Sequence, residues 1–170
     1  MPLTPTPMAP SIDDPIDLLL ACHDKVRRFT TLSLRLRDHV EREGADAQAA
    51  DAAQSILRYF DMAAPLHHDD EDLDLFPALK TLGHAELNAR IDEISAQHDT
   101  LGGLWQALRP WLVALTEGHV TATPSTLDAF VHQYQDHARH EESDLYPWAR
   151  QLTPDQILRI SQAMVRRRSS

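Results

Sequence analysis

Apolar residues recur every three or four positions along most of this chain, the spacing that places them on one face of an α-helix. The pattern predicts four long helices, each bounded by cap or breaker residues. They cover about 13–43, 45–75, 85–117 and 124–146. A cap sequence at 153–156 predicts a short fifth helix that ends at the arginines near the C-terminus. No segment shows the alternation of a strand.

Proline and glycine residues mark where these helices begin, bend and end. Pro15 follows two aspartates at the start of the first helix, where proline is tolerated, and Gly44 predicts its end. Pro65 is expected to kink the second helix, and Pro110 to bend or split the third. Short connections between long amphipathic helices favour an all-α fold, an up-down-up-down antiparallel four-helix bundle with a short additional C-terminal helix.

The chain divides into three predicted segments. Residues 1–12 are rich in proline and are expected to form a disordered tail, residues 13–150 form the bundle, and residues 151–170 form the short helix with a basic tail. The length of 170 residues suits one domain with a substantial core. Three consecutive arginines at 166–168 are interpreted as a helix-end charge cluster and solvated tail.

Composition narrows the class of protein. A formal net charge of -10 argues against nucleic-acid binding, which needs a basic face. The single cysteine, Cys22, excludes an intrachain disulfide framework and fits a reducing cytosol. The N-terminus lacks the features of a signal peptide, and no apolar run is long enough to cross a membrane. We therefore expect a cytoplasmic protein without a nucleic-acid or membrane partner, and its oligomeric state stays open.

Two copies of one pattern lie in the second and fourth predicted helices. Residues 67–77 read HHDDEDLDLFP and residues 137–147 read HARHEESDLYP. In each copy a histidine precedes a glutamate by four residues, so both side chains share one helix face and can bind the same metal ion. The matched pairs are His67 with His137, Glu71 with Glu141, Asp74 with Asp144, Leu75 with Leu145, Phe76 with Tyr146, Pro77 with Pro147 and, upstream, Phe60 with Phe130.

Two further histidines share a sequence context, Ala-Cys-His-Asp around His23 and Ala-Gln-His-Asp around His98. Counted from the turn that joins two neighbouring helices, each of these histidines should lie about as many residues away as the motif histidine on the other helix. His23 lies 21 residues before Gly44, for example, and His67 lies 23 residues after it. At a rise of about 1.5 Å per residue, four histidines, one per helix, are therefore expected to meet at one level.

These residues predict a centre for two metal ions bridged by two carboxylates. The candidate ligands are His23, His67, Glu71, His98, His137 and Glu141. Imidazole and carboxylate ligands suit iron, with manganese or zinc as alternatives. About one coordination position per ion would stay open, and on iron it would admit oxygen, peroxide or nitric oxide. The apolar residues expected to line a dry pocket around it are Leu19, Leu20, Leu101, Trp105 and Phe130.

The order of these residues, His, then HxxxE with LFP, then His, then HxxxE, resembles the hemerythrin-like, or HHE cation-binding, domain. The resemblance covers roughly residues 12–150 and implies a four-helix bundle with a non-haem di-iron centre held by the six residues above. The oxygen-carrying hemerythrins of marine invertebrates have HxxxH on the third helix, whereas Ile94 and Gly102 flank His98 at that spacing. Their fourth helix has HxxxxD, where this chain offers Glu141 or Glu142. The pattern is closer to bacterial hemerythrin-like domains and to an iron-sensing ubiquitin-ligase subunit, which argues against reversible oxygen carriage.

Other histidines at the same spacing have simpler interpretations. Because HxxxE or HxxxD alone is a weak signal in an acidic chain, four further pairs are interpreted as solvated pairs: His39 with Glu43, His68 with Asp72, His132 with Asp136 and His140 with Asp144. His68 and His140 lie beside or within the motifs and are reserve ligands.

Polar residues that flank the ligands have supporting roles in this interpretation. Asp74 and Asp144 are expected to accept a ring N–H from a ligand histidine, although the acidic run at 69–74 is in part a solvated face. Cys22 adjoins His23 but should point about 100° away around the helix, so it is interpreted as an inert, partly buried thiol outside the ligand set.

Three functions compete. The leading interpretation is a non-haem di-iron protein that binds or senses oxygen, peroxide or nitric oxide and has no catalytic residues. The alternative is a di-iron enzyme, either an oxidase or peroxidase or an iron-handling, ferroxidase-like enzyme. Ferritin-like enzymes use Glu-x-x-His, which does not occur here, so we prefer the binding protein. The third interpretation is a structural bundle in which a metal ion only holds helices together.

Overall fold

The structure is a computed structural model that describes residues 13–170. The predicted proline-rich tail at 1–12 lies outside the described residues. All regular structure from residue 13 onwards is helical, without a strand, which confirms the predicted all-α class. No helix in this part of the chain has the length and hydropathy that crossing a membrane requires.

Five helical elements follow one another along the chain. They are α1 (Pro15–Glu43), α2 (a continuous helical run over 47–80), α3 (Ala85–Thr116), α4 (127–145) and α5 (Pro154–Ser169). A 3₁₀ segment, Tyr146–Gln151, connects α4 to α5. Two helices contain π-helical turns: Tyr59–Ala63 and Asp70–Leu75 within α2, and Glu141–Leu145 at the end of α4. Single π-helical turns occur frequently at functional sites.

Caps explain most helix ends. The Asp14 carboxylate accepts a hydrogen bond from the Ile16 amide at 2.8 Å, and the backbone N–H of Gly44 closes α1 on Val40. Thr153 forms the predicted capping box at the start of α5. The α-helical part of α4 begins later than predicted, at Leu127, because the Leu127 amide bonds to the carbonyl of residue 124 in a turn.

The two internal prolines act differently. A π-helical turn, Tyr59–Ala63, lies just before Pro65, and the helical run then continues without a break to residue 80. Pro110 lies inside α3, which continues to Thr116, so this helix is not split. The second helix also continues past its predicted end, because Pro77 stands at the start of the segment Phe76–Lys80, where its missing N–H is tolerated.

The four long helices form a ring of contacts in which α1 and α3 each pack against both α2 and α4. Inside the ring, the apolar core consists of two clusters separated along the helices. On α1, Leu19 belongs to one cluster and Val26 to the other, with His23 between them. On α3, Ile94 and Leu101 flank His98 in the same way. A buried polar layer therefore crosses the bundle between two apolar layers, while α5 packs outside on α1 and α2.

Candidate metal centre

The six predicted ligand residues come together in this polar layer. Glu71 and Glu141 are completely buried, and His98, the most accessible of the six, is 9% exposed. One histidine comes from each of the four long helices, and the glutamates come from α2 and α4. Buried polar groups of this density are costly unless they bind one another or an ion.

Each motif places its glutamate against its own histidine. The Nε2 atom of His67 lies 2.8 Å from Oε1 of Glu71, and Nε2 of His137 lies 2.5 Å from Oε1 of Glu141. Both glutamates lie in the first two residues of a π-helical turn. The extra residue in that turn changes the direction of the side chains relative to a regular α-helix, so the same local irregularity shapes both halves of the centre.

Glu141 is the central residue. Its Oε2 atom is 3.0 Å from Nε2 of His23 and 4.0 Å from Nε2 of His67. Its Oε1 atom, besides its contact with His137, is 3.5 Å from Nε2 of His98. One carboxylate thus contacts the imidazoles of all four long helices, which is the arrangement expected of a carboxylate shared between two ions.

Three of the histidines are oriented by hydrogen bonds from Nδ1, the ring nitrogen that faces away from the centre. The acceptors are Glu142 for His23 at 2.9 Å, Asp72 for His98 at 2.7 Å and Gln97 for His137 at 2.8 Å. Each bond orients its ring so that Nε2 faces the centre. Ligand histidines of metal sites are held in this way.

Asp74 and Asp144 do not have the predicted role. Asp74 accepts a hydrogen bond from Arg167, and Asp144 accepts one from Arg90. The ring N–H groups bond instead to Asp72 and Glu142, which stand immediately after the two motif glutamates. Asp72 and Glu142 occupy equivalent positions in the two motif copies, but one is an aspartate and the other a glutamate. Asp74 and Asp144 are identical in the two copies, and they were predicted for that reason.

Several buried polar atoms of the centre have no hydrogen-bond partner among the described residues. They are Oε1 of Glu71, Oε1 of Glu141, Nε2 of His98 and Nε2 of His137, together with Nδ1 of His67. Buried side-chain donors and acceptors nearly always have partners, so the first four of these atoms, converging between two apolar layers, need a further group. Carboxylate oxygens and imidazole nitrogens are suitable ligands for iron, manganese or zinc. The residues present therefore fit a metal cluster.

The ligand atoms fall into overlapping groups whose members lie within 4.8 Å of one another. One group contains His23, His67 and Glu141, a second contains His68, His98 and His137, and a third contains Glu71, His98 and Glu141. His98 and Glu141 each belong to two of these groups, so the three groups form one continuous cluster of ligand atoms.

His68, kept only as a reserve ligand, lies inside the second group. Its ring stacks on that of His98 with centroids 4.0 Å apart, and its Nε2 atom lies 3.4 Å from the hydroxyl of Tyr134. The other reserve residue, His140, is only partly buried and belongs to none of the three groups. The adjacent histidines in HHDDE were the sequence signal for His68.

Tyr146 also borders the centre without having been predicted to do so, since it appeared in the sequence analysis only as the partner of Phe76 in the repeat. Its buried hydroxyl lies 3.1 Å from Oε2 of Glu141, 3.3 Å from Oε2 of Glu71 and 3.2 Å from Nε2 of His23. Its ring stacks on His23 with centroids 5.4 Å apart. Burial, with the two nearby carboxylates, raises the pKa of Tyr146 well above its ordinary value, so the phenol remains a hydrogen-bond donor.

The pKa values of the two buried glutamates shift in opposite directions. Burial and the neighbouring Glu141 raise the pKa of Glu71 well above its ordinary value. Burial acts on Glu141 in the same direction, but the nearby histidines, His137 first, lower its pKa well below the ordinary value. Burial lowers the pKa of His67 to about 3, so this imidazole is neutral at pH 7. Glu141 is therefore the ionised carboxylate, and His67 is already in the form that binds metal.

Residues that were excluded from the centre lie away from it. His39 contacts Asp46 rather than Glu43, and His132 bonds to the backbone of its own helix. Burial raises the pKa of the partly buried Cys22 thiol, which does not belong to any of the three ligand groups in the described chain.

A surface cavity of about 460 Å³ reaches the edge of the centre. It is lined by both apolar and charged residues, among them Ile16, Leu20 and Arg150. Tyr146 and Glu142, which contact the centre directly, also line it. Leu20, expected in a closed apolar pocket around the metals, therefore lines this opening, while Leu19, Leu101, Trp105 and Phe130 are buried in the core.

Comparisons with known proteins agree with this geometry. The family model of the hemerythrin HHE cation binding domain matches residues 14–149. The chain is also similar to an uncharacterized protein of Haemophilus influenzae, with 35% identity over 158 residues. That alignment covers 92% of this chain and 91% of the relative.

Proposed function

The chain belongs to the hemerythrin HHE cation-binding family, and from that premise we propose that it is a non-haem di-iron protein that binds or senses oxygen or a related small ligand such as peroxide or nitric oxide. Iron would supply the redox chemistry, and manganese or zinc could occupy the same ligands. The bundle would hold the ion pair between its apolar layers, in an up-down-up-down antiparallel order that the short connections favour.

The observation that carries this proposal is the set of four buried, unpartnered ligand atoms facing one another in the polar layer. A structural bundle would fill this layer with apolar side chains or with a complete hydrogen-bond network. The ring nitrogens on the far side of three histidines are already bonded to acceptors, so the unpartnered Nε2 atoms are not a consequence of a generally poor network.

We assign His23 and His67 to one ion and His98 and His137 to the other, with Glu71 and Glu141 shared between them. The stacking and grouping of His68 support its assignment as a further ligand of the second ion. His68 on α2 would thus supply the additional histidine that the oxygen-carrying hemerythrins have in the HxxxH of their third helix. The ion held by two histidines then has the more open shell, and it is the one next to Tyr146.

One observation favours the enzymatic alternative, a di-iron oxidase, peroxidase or ferroxidase-like protein. The cavity of about 460 Å³ that ends at Tyr146 and Glu142 is larger than a diatomic ligand needs. A substrate bound there would contact the side chains that border the ion pair.

Anaerobic reconstitution with Fe(II), followed by exposure to oxygen, tests the proposal. We expect two irons per chain and a ligand-to-iron charge-transfer absorption that appears on exposure. A His67→Ala/His137→Ala variant that still folds by circular dichroism should show neither. Absence of stoichiometric iron in the parent would refute the proposal. Many turnovers of hydrogen peroxide or Fe(II), instead of one stoichiometric reaction, would select the enzyme.

A further inference from the structure

The last turn of α5 reaches back to the first motif. Arg167 donates to Asp70 at 2.5 Å and to Asp74 at 2.6 Å. Arg168 donates to both carboxylate oxygens of Asp70, at 3.0 Å and 2.6 Å. We call these four residues the C-terminal clamp. Arg167 and Arg168 therefore do not form the solvated tail that was predicted. Of the three arginines, only Arg166 is exposed and has no ion pair within residues 13–170.

The clamp is anchored on a buried charge. The side chain of Asp70 is 0% exposed, and that of Arg167 is 17% exposed. A buried carboxylate is tolerated only when charged and hydrogen-bonding partners replace water, and two guanidinium groups on one carboxylate supply them. The docking of α5 therefore supplies the hydrogen-bond donors that the buried carboxylate of Asp70 needs.

Asp70 begins the π-helical turn whose second residue is the candidate ligand Glu71. Glu71 itself has fewer direct restraints than Glu141, since its carboxyl group contacts one imidazole, that of His67, the hydroxyl of Tyr146 and the neighbouring carboxylate of Glu141. Its Oε1 atom lacks a hydrogen-bond donor among the described residues. The position of this carboxylate thus depends on the backbone of the turn, and the clamp holds that backbone on both sides of Glu71.

The helix that carries the clamp also packs on a second helix with a candidate ligand. Besides the turn 70–75, α5 packs on α1, which carries His23. Docking of α5 therefore involves two of the helices that supply candidate ligands.

The second motif is held differently. The position equivalent to Asp70 is occupied by His140, and Asp144 bonds to Arg90 of α3 rather than to α5. Glu141 moreover contacts four imidazoles, which restrain it directly. Within residues 13–170, only the first motif forms ion pairs with the C-terminal helix.

From this arrangement we propose that the C-terminal clamp is a positioning device for Glu71, so that docking of α5 and binding of the metal pair reinforce each other. The proposal rests on the proposed function, because it requires that Glu71 bind metal. Coupling between two sites is reciprocal, so metal binding must also tighten the docking of α5.

The first test compares metal affinity in full-length variants. Arg167→Gln/Arg168→Gln and Asp70→Asn remove the clamp from either side, and Arg166→Gln is the matched control on the same turn. Anaerobic titration with Fe(II), and with Co(II) as a spectroscopic probe, should show binding weakened by about 10–100-fold in the clamp variants. Their Co(II) absorption should also change, and the control should match the parent.

A background that lacks the Glu71 carboxylate separates positioning from general stabilisation. In Glu71→Gln, loss of the clamp should weaken metal binding little further, because the group that the clamp positions is already absent. Equal losses in the parent and Glu71→Gln backgrounds would overturn the proposal. So would clamp variants that melt earlier but bind two ions with the parent's affinity and spectrum.

Hydrogen exchange on the unaltered protein covers the case in which a variant does not fold. Addition of metal should slow exchange in α5 and in the turn 70–75 of the parent, and it should do so much less in Glu71→Gln. Metal binding without any protection of α5 would refute the clamp and leave the di-iron proposal intact. A parent that binds no metal would refute both.

Discussion

The two motif copies, 67–77 and 137–147, have the same ligands and different surroundings. In both copies, Nε2 of the histidine lies within 2.8 Å of Oε1 of the glutamate, at the start of a π-helical turn. An aromatic residue stands five positions after each glutamate. Phe60 and Phe130, seven residues before the two histidines, pack against each other with centroids 5.0 Å apart. The shared residues thus build a layer with approximate two-fold symmetry that can hold two ions.

The differences make the two sides of that layer chemically unequal. His68 adds an imidazole beside the second candidate ion, where the other copy has Ala138. Tyr146 adds a hydroxyl beside the first, where the other copy has Phe76, whose ring stacks near His98 at 6.2 Å. Under the proposed function, the duplicated scaffold would supply the metal site, and the positions that differ would decide which ion is open to an external ligand.

The largest effect should come from the glutamates, and it should be unequal. Glu141 contacts four imidazoles and Glu71 contacts one, so Glu141→Gln should lose both ions while Glu71→Gln retains part of the metal. We expect an affinity loss for Glu141→Gln well above the roughly 10–100-fold that is typical of residues behind the ligands. Metal analysis after anaerobic gel filtration measures it. Equal losses in the two variants would mean that the centre is symmetric in spite of these contacts.

Removal of His68 should have the next largest effect. If it binds the second ion, His68→Ala should weaken binding of one of the two ions by at least about tenfold and leave the other unchanged. His140→Ala is the control, because His140 is the other reserve histidine and lies outside the ligand groups. Stepwise titration with Fe(II) or Co(II) resolves the two ions. Identical titrations of the parent and His68→Ala would return His68 to a packing role.

Much of this site could be predicted because helical periodicity and an internal repeat carry positional information. Helix lengths and turn positions were enough to bring His23 and His98 to the level of the motif histidines, and the structure places them there. These conclusions depend only on distances along the chain. They do not depend on side-chain direction.

The missed features depend on side-chain direction or on contacts distant in sequence. A regular α-helix has 3.6 residues per turn, but a π-helical turn follows each motif histidine, and Asp72 rather than Asp74 reaches the ring of His98. The role of Arg168 depends on a contact 98 residues away in sequence. A run of arginines at a helix end gives no sign of such a partner.

Replacement of the Tyr146 hydroxyl should change reactivity more than metal content. Tyr146→Phe makes this position identical to Phe76 of the other copy, so the ring should still pack on its histidine. We expect two bound ions, a stability change of no more than about 1–3 kcal/mol, and a shifted charge-transfer absorption or a faster loss of the external ligand. Stopped-flow spectroscopy after mixing with oxygen or nitric oxide measures both. Unchanged spectra and rates would show that the hydroxyl does not face the open position.

The smallest effect should come from the outer ion pair of the second motif, Arg90 with Asp144. The pair is 2.8 Å apart, but its side chains are 26% and 37% exposed, and water and salt screen the attraction. Arg90→Gln should therefore change the free energy of unfolding by about 0.2–1 kcal/mol, and less at high salt. Metal affinity should stay at the parent's value, because Glu141 is held by its histidines rather than by this pair. Urea unfolding and Fe(II) titration measure the two quantities. A loss of metal from Arg90→Gln as large as that from Asp70→Asn would show that both motifs need an outer ion pair, and the contrast between them would then disappear.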